Sequence, residues 1–338
     1  MAIHTVGIDI AKTVFHLVAL DEKGAMLTKR KFSRSQLLAY TANLKADVIG
    51  MEACCGAHFL ARALVGQGHN VRLMPAEYVR PYVKSNKNDF IDAEAIAEAV
   101  LRPTMRFVPL KTEEQLDLQA LHRVRERWIQ RRVALTNQIR GFLLERGFPV
   151  RVGSEYLWKT LPPLLEDGDN GLSGRFRTIV SALREEWGEL EKKISTVTEE
   201  IGRVSRSNEG CKRLRGIPGI GPIISTALVA AVGNAAAFRT GRDMASWLGL
   251  VPRQHSSGGK TKLLGISKRG NQYLRKLLVE GARAAFARLN RSQHSFGSWM
   301  DALEARKHSH VAVVALANKI ARIAWAVLTT GQQYRAAT

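Results

Sequence analysis

The chain has 338 residues, 45% of them hydrophobic, so it is long enough for two or three domains with a real core, and wholesale disorder is excluded. Its formal net charge of +21 points to a polyanionic partner, most often nucleic acid. Three cysteines without a CxxC pair argue against a zinc site and for a reducing, cytoplasmic setting. Neither an 18-residue apolar run nor a signal peptide is evident, so no membrane partner is expected.

The first third of the chain, residues 1–105, alternates strand and helix patterns. Strand patterns cover residues 4–10, 14–20, 25–32, 47–51 and 71–74. Helix patterns cover residues 33–44, 53–65 and 89–101. Three successive strands followed by alternating helices and strands predict a mixed α/β sheet.

Four acidic residues lie at informative places in this pattern. Asp9 ends the first apolar strand, where a carboxylate is costly unless something pairs with it, and Glu52 ends a later strand. Asp89 and Asp92 are three residues apart and share a helix face. If the four converge, an oxygen-only site for Mg²⁺ or Mn²⁺ results. Taken singly, Asp89 could be an N-cap, Asp92 a first-turn residue and Glu52 a helix-start glutamate.

Two lysines, Lys84 and Lys87, directly precede the acidic helix. They are candidate phosphate contacts beside the metal site, and the alternative is that they are ordinary loop charges.

The segments Gly7-Ile8-Asp9, Met51-Glu52-Ala53 and Asn88 to Ala93 resemble the acidic tetrad of DEDD-type insertion-sequence transposases, which are bridge-RNA-guided recombinases. The resemblance implies an α/β ribonuclease H-like (RuvC-like) catalytic domain. It also implies that all four acids bind Mg²⁺ or Mn²⁺, and that guide RNA is a partner.

The middle segment, residues 106–207, is predicted to be helical. A capping box at Thr112 to Gln115 starts a long arginine-rich helix that runs to about residue 146. Apolar residues then follow a heptad pattern over residues 176–204. This pattern predicts a helical hairpin with residues 112–146 or a dimerising coiled coil, and the two arrangements are compatible. In the resembled family the segment is a coiled-coil assembly element, which implies a homo-oligomer, a dimer or a tetramer.

A glycine-rich turn opens the last segment, residues 208–338, and resembles a helix-hairpin-helix motif. Arg215, Gly219 and Gly221 are its candidate nucleic-acid contacts, because exposed N–H groups at a helix start can hold a phosphate. The alternative is a tight turn in a helical domain. The remainder of the segment is predicted to be mostly α-helical.

The basic excess is concentrated in residues 205–290, which hold fifteen Lys and Arg against three acids. Ser256 and Ser257 lie there in a stretch that is predicted to be a flexible loop. From chemistry alone each serine is a phosphate donor or a plain loop residue, since a nucleophilic serine needs activation. The candidate nucleic-acid contacts of this region are Arg253, Lys260, Lys268, Arg269 and Arg275.

The sequences around Leu250-Val251-Pro252, Ser256-Ser257-Gly258 and Ile266 to Gly270 resemble the C-terminal transposase domain of the same family. There, a serine that precedes a glycine is the catalytic nucleophile. Ser257 is the better match because it adjoins Gly258, and Ser256 is the alternative.

The sequence as a whole therefore predicts a transposase that cuts and exchanges DNA strands at element ends and target. The resemblance implies that the reaction uses a serine nucleophile and a Mg²⁺-bound acidic tetrad under RNA guidance, and the expected location is the cytoplasm and nucleoid of a prokaryotic cell. The alternatives are a hydrolytic RuvC-like nuclease without a covalent intermediate and a non-catalytic nucleic-acid-binding protein.

Overall fold

The chain folds into two compact units, residues 1–112 and residues 113–338. The computed structural model describes residues 2–84 and 88–335. The helical middle and the C-terminal segment pack together in the second unit, whereas the division at residues 105 and 207 stays a prediction about functional segments.

The first unit is built on a five-stranded sheet in the order β3-β2-β1-β4-β5. Its strands are β1 (Ile3–Ile10), β2 (Phe15–Leu20), β3 (Met26–Phe32), β4 (Ala46–Glu52) and β5 (Val71–Met74). The first three strands pair antiparallel, and β4 lies parallel to both β1 and β5. The predicted mixed α/β sheet is confirmed, with strand ends within one residue of the predicted ones.

The helices of this unit lie between and after the strands. They are α1 (Arg34–Thr41), α2 (Ala57–Gly66), α3 (Ala76–Val79) and α4 (Asp89–Ala99). One face of the sheet buries Val6, Ile8 and Ile49 in a core that includes residues of α1 and α2. The other face is covered by α4, which contacts β1, β2 and β4.

Two glycines let α4 approach the sheet closely. A Cβ atom on Gly7 would lie 2.0 Å from the carbonyl oxygen of Ala93, and one on Gly50 would lie 3.0 Å from the Cβ of Val100. Small side chains on the helix, including Ala93 and Ala97, complete the contact. The position of α4 is therefore set by glycine on the strands and alanine on the helix.

The second unit is mostly helical. Its helices are α5 (Glu113–Leu144), α6 (Ser154–Glu166), α7 (Gly174–Ser207), α8 (Glu209–Leu214), α9 (Pro222–Val232), α10 (Gly241–Trp247), α11 (Gln272–Arg288), α12 (Gly297–Glu304) and α13 (Ser309–Thr330). The sequence patterns predicted α5, α7 and α9 but gave no separate indication of α6, which contains the pair Pro162-Pro163.

The heptad residues of α7 are used inside the chain. Trp187, Leu190 and Ile194 are buried on the side of α7 that packs in this unit, where α7 contacts α5 and α9. Polar contacts fix the register of the two long helices, among them Arg131 to Glu186 at 2.8 Å. The helical hairpin is therefore present, and self-association through α7 stays a prediction.

The stretch with the two serines forms a β-hairpin, so the prediction of a flexible loop is wrong. Strand β6 (Pro252–Ser257) pairs antiparallel with β7 (Lys260–Ile266), and Gly258 and Gly259 form the turn. Both glycines have positive φ, 54° and 75°, which glycine adopts without strain. Because side chains of both faces are exposed, the strands lack the buried face by which sequence patterns reveal a strand.

The last helix corrects the sequence analysis on apolar runs. Among the described residues α13 is the one helix long and apolar enough to cross a membrane. Half of its apolar window is buried inside the unit, and Leu316, Ala317 and Ile320 belong to the core there. Packing in the core of the unit accounts for this composition.

Candidate active site

Two of the predicted acids lie at the ends of neighbouring parallel strands. Asp9 comes two residues after Gly7 on β1, and Glu52 comes two residues after Gly50 on β4. Because side chains alternate along a strand, each acid faces the same side as its glycine, which is the side that α4 covers. On β1, Gly7 lies against Ala93 and Ala97, whereas on β4 Gly50 lies against Ile96 and Val100, nearer the end of the helix.

The other two acids lie in the first turn of α4. The N-cap of this helix is Asn88, whose side chain accepts a hydrogen bond from the backbone N–H of Phe90 at 3.0 Å. The interpretation of Asp89 as the N-cap is therefore wrong. Asp89 is exposed and Asp92 is half-buried, and both carboxylates lie at the positive end of the helix dipole.

Electrostatics relates Asp9 to both carboxylates of the first turn of α4. The pKa of Asp9 is raised above its usual value by burial, then by the negative charge of Asp92 and then by that of Asp89. The charge of His16 and a hydrogen bond from the backbone N–H of Ile10 act in the opposite direction. The carboxylates of Asp89 and Asp92 are thus close enough to Asp9 for their charges to raise its pKa.

The thiol of Cys54, which was not identified from the sequence, lies near both Glu52 and Asp9. Burial raises the pKa of the Cys54 thiol, and the charges of Glu52 and Asp9 raise it further. Both carboxylates therefore lie near this sulfur atom. In the sequence, the position of Cys54 two residues after Glu52 was the feature that could have indicated this neighbour.

The donor atoms at this place suit a hard cation. All four predicted ligands offer carboxylate oxygens, which Mg²⁺ and Mn²⁺ prefer, and a cation would offset the repulsion that raises the pKa of Asp9. As placed, no three Asp, Glu, His or Cys side chains in residues 2–84 and 88–335 are grouped closely enough to hold one ion. Closure on an ion therefore requires these side chains to rotate.

His16 is a second neighbour that the sequence analysis missed. It lies opposite Asp9 in the pairing of β1 with β2, and its imidazole Nδ1 is 3.5 Å from a carboxylate oxygen of Asp89. Its ring also meets the edge of Phe90, with centroids 4.6 Å apart. In the sequence, the short connection between the first two predicted strands was the feature that could have indicated this neighbour, because it pairs residue 9 with residue 16.

The β-hairpin separates the two candidate serines onto opposite faces. Ser257 lies opposite Lys260 and shares its face with His255 and Lys262, which also lie opposite each other. Ser256 lies opposite Thr261 on the other face, where the amide of Gln254 donates a hydrogen bond to its Oγ at 2.8 Å. Ser257 is thus on the cationic face and Ser256 on the uncharged polar face.

Comparisons with known proteins agree with both regions. A sequence model for DEDD transposases of the IS110 type matches residues 6–149, and a model described as the IS116/IS110/IS902 transposase family matches residues 211–297. The chain is 43% identical over 333 residues to the transposase of insertion sequence IS1111A from Coxiella burnetii, covering 98% of this chain and 92% of the relative. The chain belongs to the IS110/IS116 family of DEDD transposases.

Two further relatives match over nearly their whole lengths. The transposase of IS1328 from Yersinia enterocolitica is 42% identical and covers 96% of this chain and 97% of its own. A protein named a probable family 20 transposase from Pseudomonas aeruginosa is 41% identical and covers 99% of each chain. The protein is therefore an insertion-sequence transposase, an enzyme class that acts on the DNA of element ends.

The basic residues beside the acids of the transposase have partners of their own. The ammonium group of Lys84 lies 3.2 Å from Glu94 and 2.6 Å from Glu98, both on α4. It helps to attach the chain before α4 to that helix, and its role as a phosphate contact stays a prediction. The other candidate here, Lys87, lies outside the described residues.

Near the hairpin, the side chain of Arg275 forms hydrogen bonds with the backbone instead of extending into solvent. Its guanidinium donates to the carbonyl oxygens of Leu248 and Arg269, at 3.0 Å and 2.8 Å. These bonds fix the loop that carries Lys268 and Arg269, whose side chains are exposed. Arg253 and Lys260 are exposed on the hairpin, so four of the five predicted contacts of this region are open to a polyanion.

The glycine-rich turn of the transposase packs against its own unit. Gly219 has a φ of 88°, and a Cβ atom there would lie 2.5 Å from the carbonyl oxygen of Gly281 on α11. Close packing thus accounts for this glycine. Gly221 is the N-cap of α9 with open space around its Cα, and Arg215 is exposed. Those two remain the more accessible candidates for a phosphate contact.

Proposed function

We propose that this transposase cuts and exchanges DNA strands with a serine nucleophile, Ser257, and with Asp9, Glu52, Asp89 and Asp92 as ligands of Mg²⁺. The observation that carries the proposal is that Asp9, at the end of β1, lies close enough to Asp89 and Asp92 in the first turn of α4 for their charges to raise its pKa. The strand order β3-β2-β1-β4-β5 supports a ribonuclease H-like fold of the RuvC branch.

The acidic residues supply oxygen ligands and negative charge to this site. Mg²⁺ bound there would stabilise negative charge that develops on a phosphodiester during cleavage. Asp9 on its strand is held by the sheet, whereas Asp89 and Asp92 are carried by α4, so the seating of that helix sets the spacing of the ligands.

Ser257 is the preferred nucleophile because of its place on the hairpin. Its Oγ would form a bond to phosphorus while a bridging P–O bond of the DNA breaks. The leaving oxygen takes up a proton in exchange for the one that the serine hydroxyl loses. Lys260, His255 and Lys262 share the face of Ser257 and favour binding of the DNA phosphate there, whereas Ser256 lies on the face without cations.

The partners proposed beyond element DNA are a guide RNA and further copies of this chain, as a dimer or a tetramer. The charge of +21 supports contact with more nucleic acid than one duplex end. The proposed location is beside the chromosome in a bacterial cytoplasm, and the three free thiols, two exposed and one buried, are compatible with such a reducing setting.

Trapping of a protein–DNA adduct tests the nucleophile. With a nicked element-end substrate and Mg²⁺, we expect wild type and Ser256→Ala to form a denaturant-resistant adduct, and Ser257→Ala to lose it by roughly 10³-fold or more. Ser256→Ala is the matched control, because it removes the adjacent hydroxyl from the same hairpin. Asp9→Asn is expected to abolish cleavage while DNA binding persists.

The same experiment separates the alternatives. Cleavage by Ser257→Ala without any adduct in the wild type would support a hydrolytic RuvC-like nuclease. Cleavage by Asp9→Asn at the wild-type rate would remove the acids from the mechanism.

A further inference from the structure

A buried histidine adjoins the proposed acidic site and has an unsatisfied ring nitrogen. His16 on β2 is 7% exposed, and its Nδ1 has no hydrogen-bond partner within the described ranges. A carboxylate oxygen of Asp89 lies 3.5 Å from Nδ1, within ion-pair range but beyond a good hydrogen bond. A buried nitrogen left without a partner costs free energy, so its position requires an explanation.

The imidazole is held firmly, whereas the carboxylate is not. The sheet fixes the backbone of His16 opposite Asp9, and Phe90 packs edge-on against the ring. The Asp89 side chain is 58% exposed and sits at the first position of α4. A small rotation of Asp89 would bring its carboxylate to hydrogen-bond distance from Nδ1, whereas His16 has little room to move.

We propose that His16 is a positioning residue that donates its Nδ1–H to Asp89 and turns that carboxylate toward Asp9 and Asp92. The proposal rests on the proposed function of the acidic site. A hydrogen-bond donor behind a ligating carboxylate restricts its orientation before the cation arrives, and loss of such a partner typically weakens metal binding.

Three substitutions at this position distinguish the atom that acts. His16→Asn places an amide nitrogen where Nδ1 lies, two bonds from Cβ, and keeps the donor. His16→Gln places its amide one bond further out, where Nε2 lies. His16→Leu removes both donors while filling most of the volume.

The chain also offers a matched control on the same sheet. His4 lies at the other end of β1, and its Nδ1 is 2.6 Å from Asp47. His4→Leu therefore breaks a histidine–aspartate pair of the same unit outside the acidic site.

Binding of Mn²⁺ alone, followed by electron paramagnetic resonance of the free ion, is the direct measurement. We expect His16→Leu and His16→Gln to weaken Mn²⁺ binding by ~10-fold or more, as for other residues that support metal ligands. His16→Asn should stay within ~3-fold of wild type, and His4→Leu should not change binding. Thermal unfolding of each variant establishes that the comparison is made on folded protein.

The outcomes separate this inference from the proposed function. If Asp92→Asn leaves Mn²⁺ binding unchanged, the acidic site is wrong and the inference falls with it. If Asp92→Asn abolishes binding but His16→Leu and His16→Gln bind as wild type does, the site stands and the role of His16 is wrong. If His16→Leu does not fold, equal binding by His16→Asn and His16→Gln overturns the inference.

Discussion

At the scale of single residues, two glycines on the sheet determine how closely α4 approaches the candidate site. Gly7 and Gly50 leave room for α4 on the sheet, and Asp9 and Glu52 lie two positions further along the same strands. A side chain at Gly7 would push away the helix that carries Asp89 and Asp92, and one at Gly50 would crowd Val100 and Ile96 at the other end of that helix. The packing of α4 on the sheet therefore also determines where Asp89 and Asp92 lie relative to Asp9 and Glu52.

Gly7→Ala is expected to destabilise the first unit and to weaken Mn²⁺ binding together. The new Cβ atom would lie 2.0 Å from the backbone carbonyl oxygen of Ala93, so α4 has to move. We expect a loss of at least about 3 kcal/mol in the free energy of unfolding, since a backbone clash exceeds ordinary overpacking. Urea unfolding and Mn²⁺ titration measure the two effects.

Gly66→Ala is the control for this prediction. Gly66 ends α2 in the same unit, and a Cβ atom there would meet nothing within 4 Å. It should leave stability unchanged or slightly raised. Unchanged stability of Gly7→Ala would show that α4 is seated less tightly than the geometry indicates.

At the scale of helices and strands, a buried histidine joins three helices of the second unit. The hydroxyl of Tyr273 on α11 donates to Nδ1 of His122 on α5 at 2.9 Å. Nε2–H of His122 donates to the hydroxyl of Thr226 on α9 at 3.0 Å, and that hydroxyl donates to the carbonyl oxygen of Pro222. This assignment of donors corresponds to a neutral imidazole with its proton on Nε2, the form that burial of the ring favours.

Acid is therefore expected to weaken this unit. Burial lowers the pKa of His122 from 6.5 to about 4, with a smaller effect from the charge of Arg125. Below pH 6.5 the unfolded chain binds a proton at His122, whereas the folded chain does not bind it until the pH nears 4. The free energy of unfolding is therefore highest above pH 6.5 and falls as the pH drops toward 4. We expect a loss of about 3 kcal/mol by pH 4.

Urea unfolding of the second unit at pH 7, 5 and 4 measures this effect. His122→Gln should unfold with a weaker pH dependence in that window, although with lower stability at pH 7. His58 in the first unit has a pKa that is also lowered to about 4, by burial and then by Lys111 and Arg62. His58→Gln is the control, because it should leave the pH dependence of the second unit unchanged.

At the scale of the whole molecule, charge is the property that dominates. A net charge of +21 predicts that the transposase retains nucleic acid through purification at low salt. If six to ten phosphates are contacted, affinity should fall by roughly 10³–10⁵ between ~50 and ~200 mM salt. Filter binding across that range measures the slope.

Sequencing of the RNA retained at low salt tests the proposed guide. A structured RNA from the flank of the insertion element is the expected result. Recovery of unrelated cellular RNA in proportion to its abundance would contradict RNA guidance and leave direct reading of DNA.

Local patterns were informative wherever burial determines which positions are apolar. The apolar strands and the heptads of α7 were predicted for this reason, and the start of α5 was predicted from the residue types that cap a helix. The hairpin β6–β7 was missed because its exposed strands carry no such pattern. Helix α6 was missed because a pair of prolines interrupts its pattern.

The sequence by itself determined the family, the acidic residues and the two candidate serines, because these depend on residue type and spacing along the chain. The tertiary structure decided which groups are neighbours: His16 and Cys54 beside the acids, and Ser257 rather than Ser256 on the cationic face of the hairpin. The physical reason is register. A shift of one residue in the pairing of two strands exchanges the faces of every side chain, and pairing is settled by packing across the sheet.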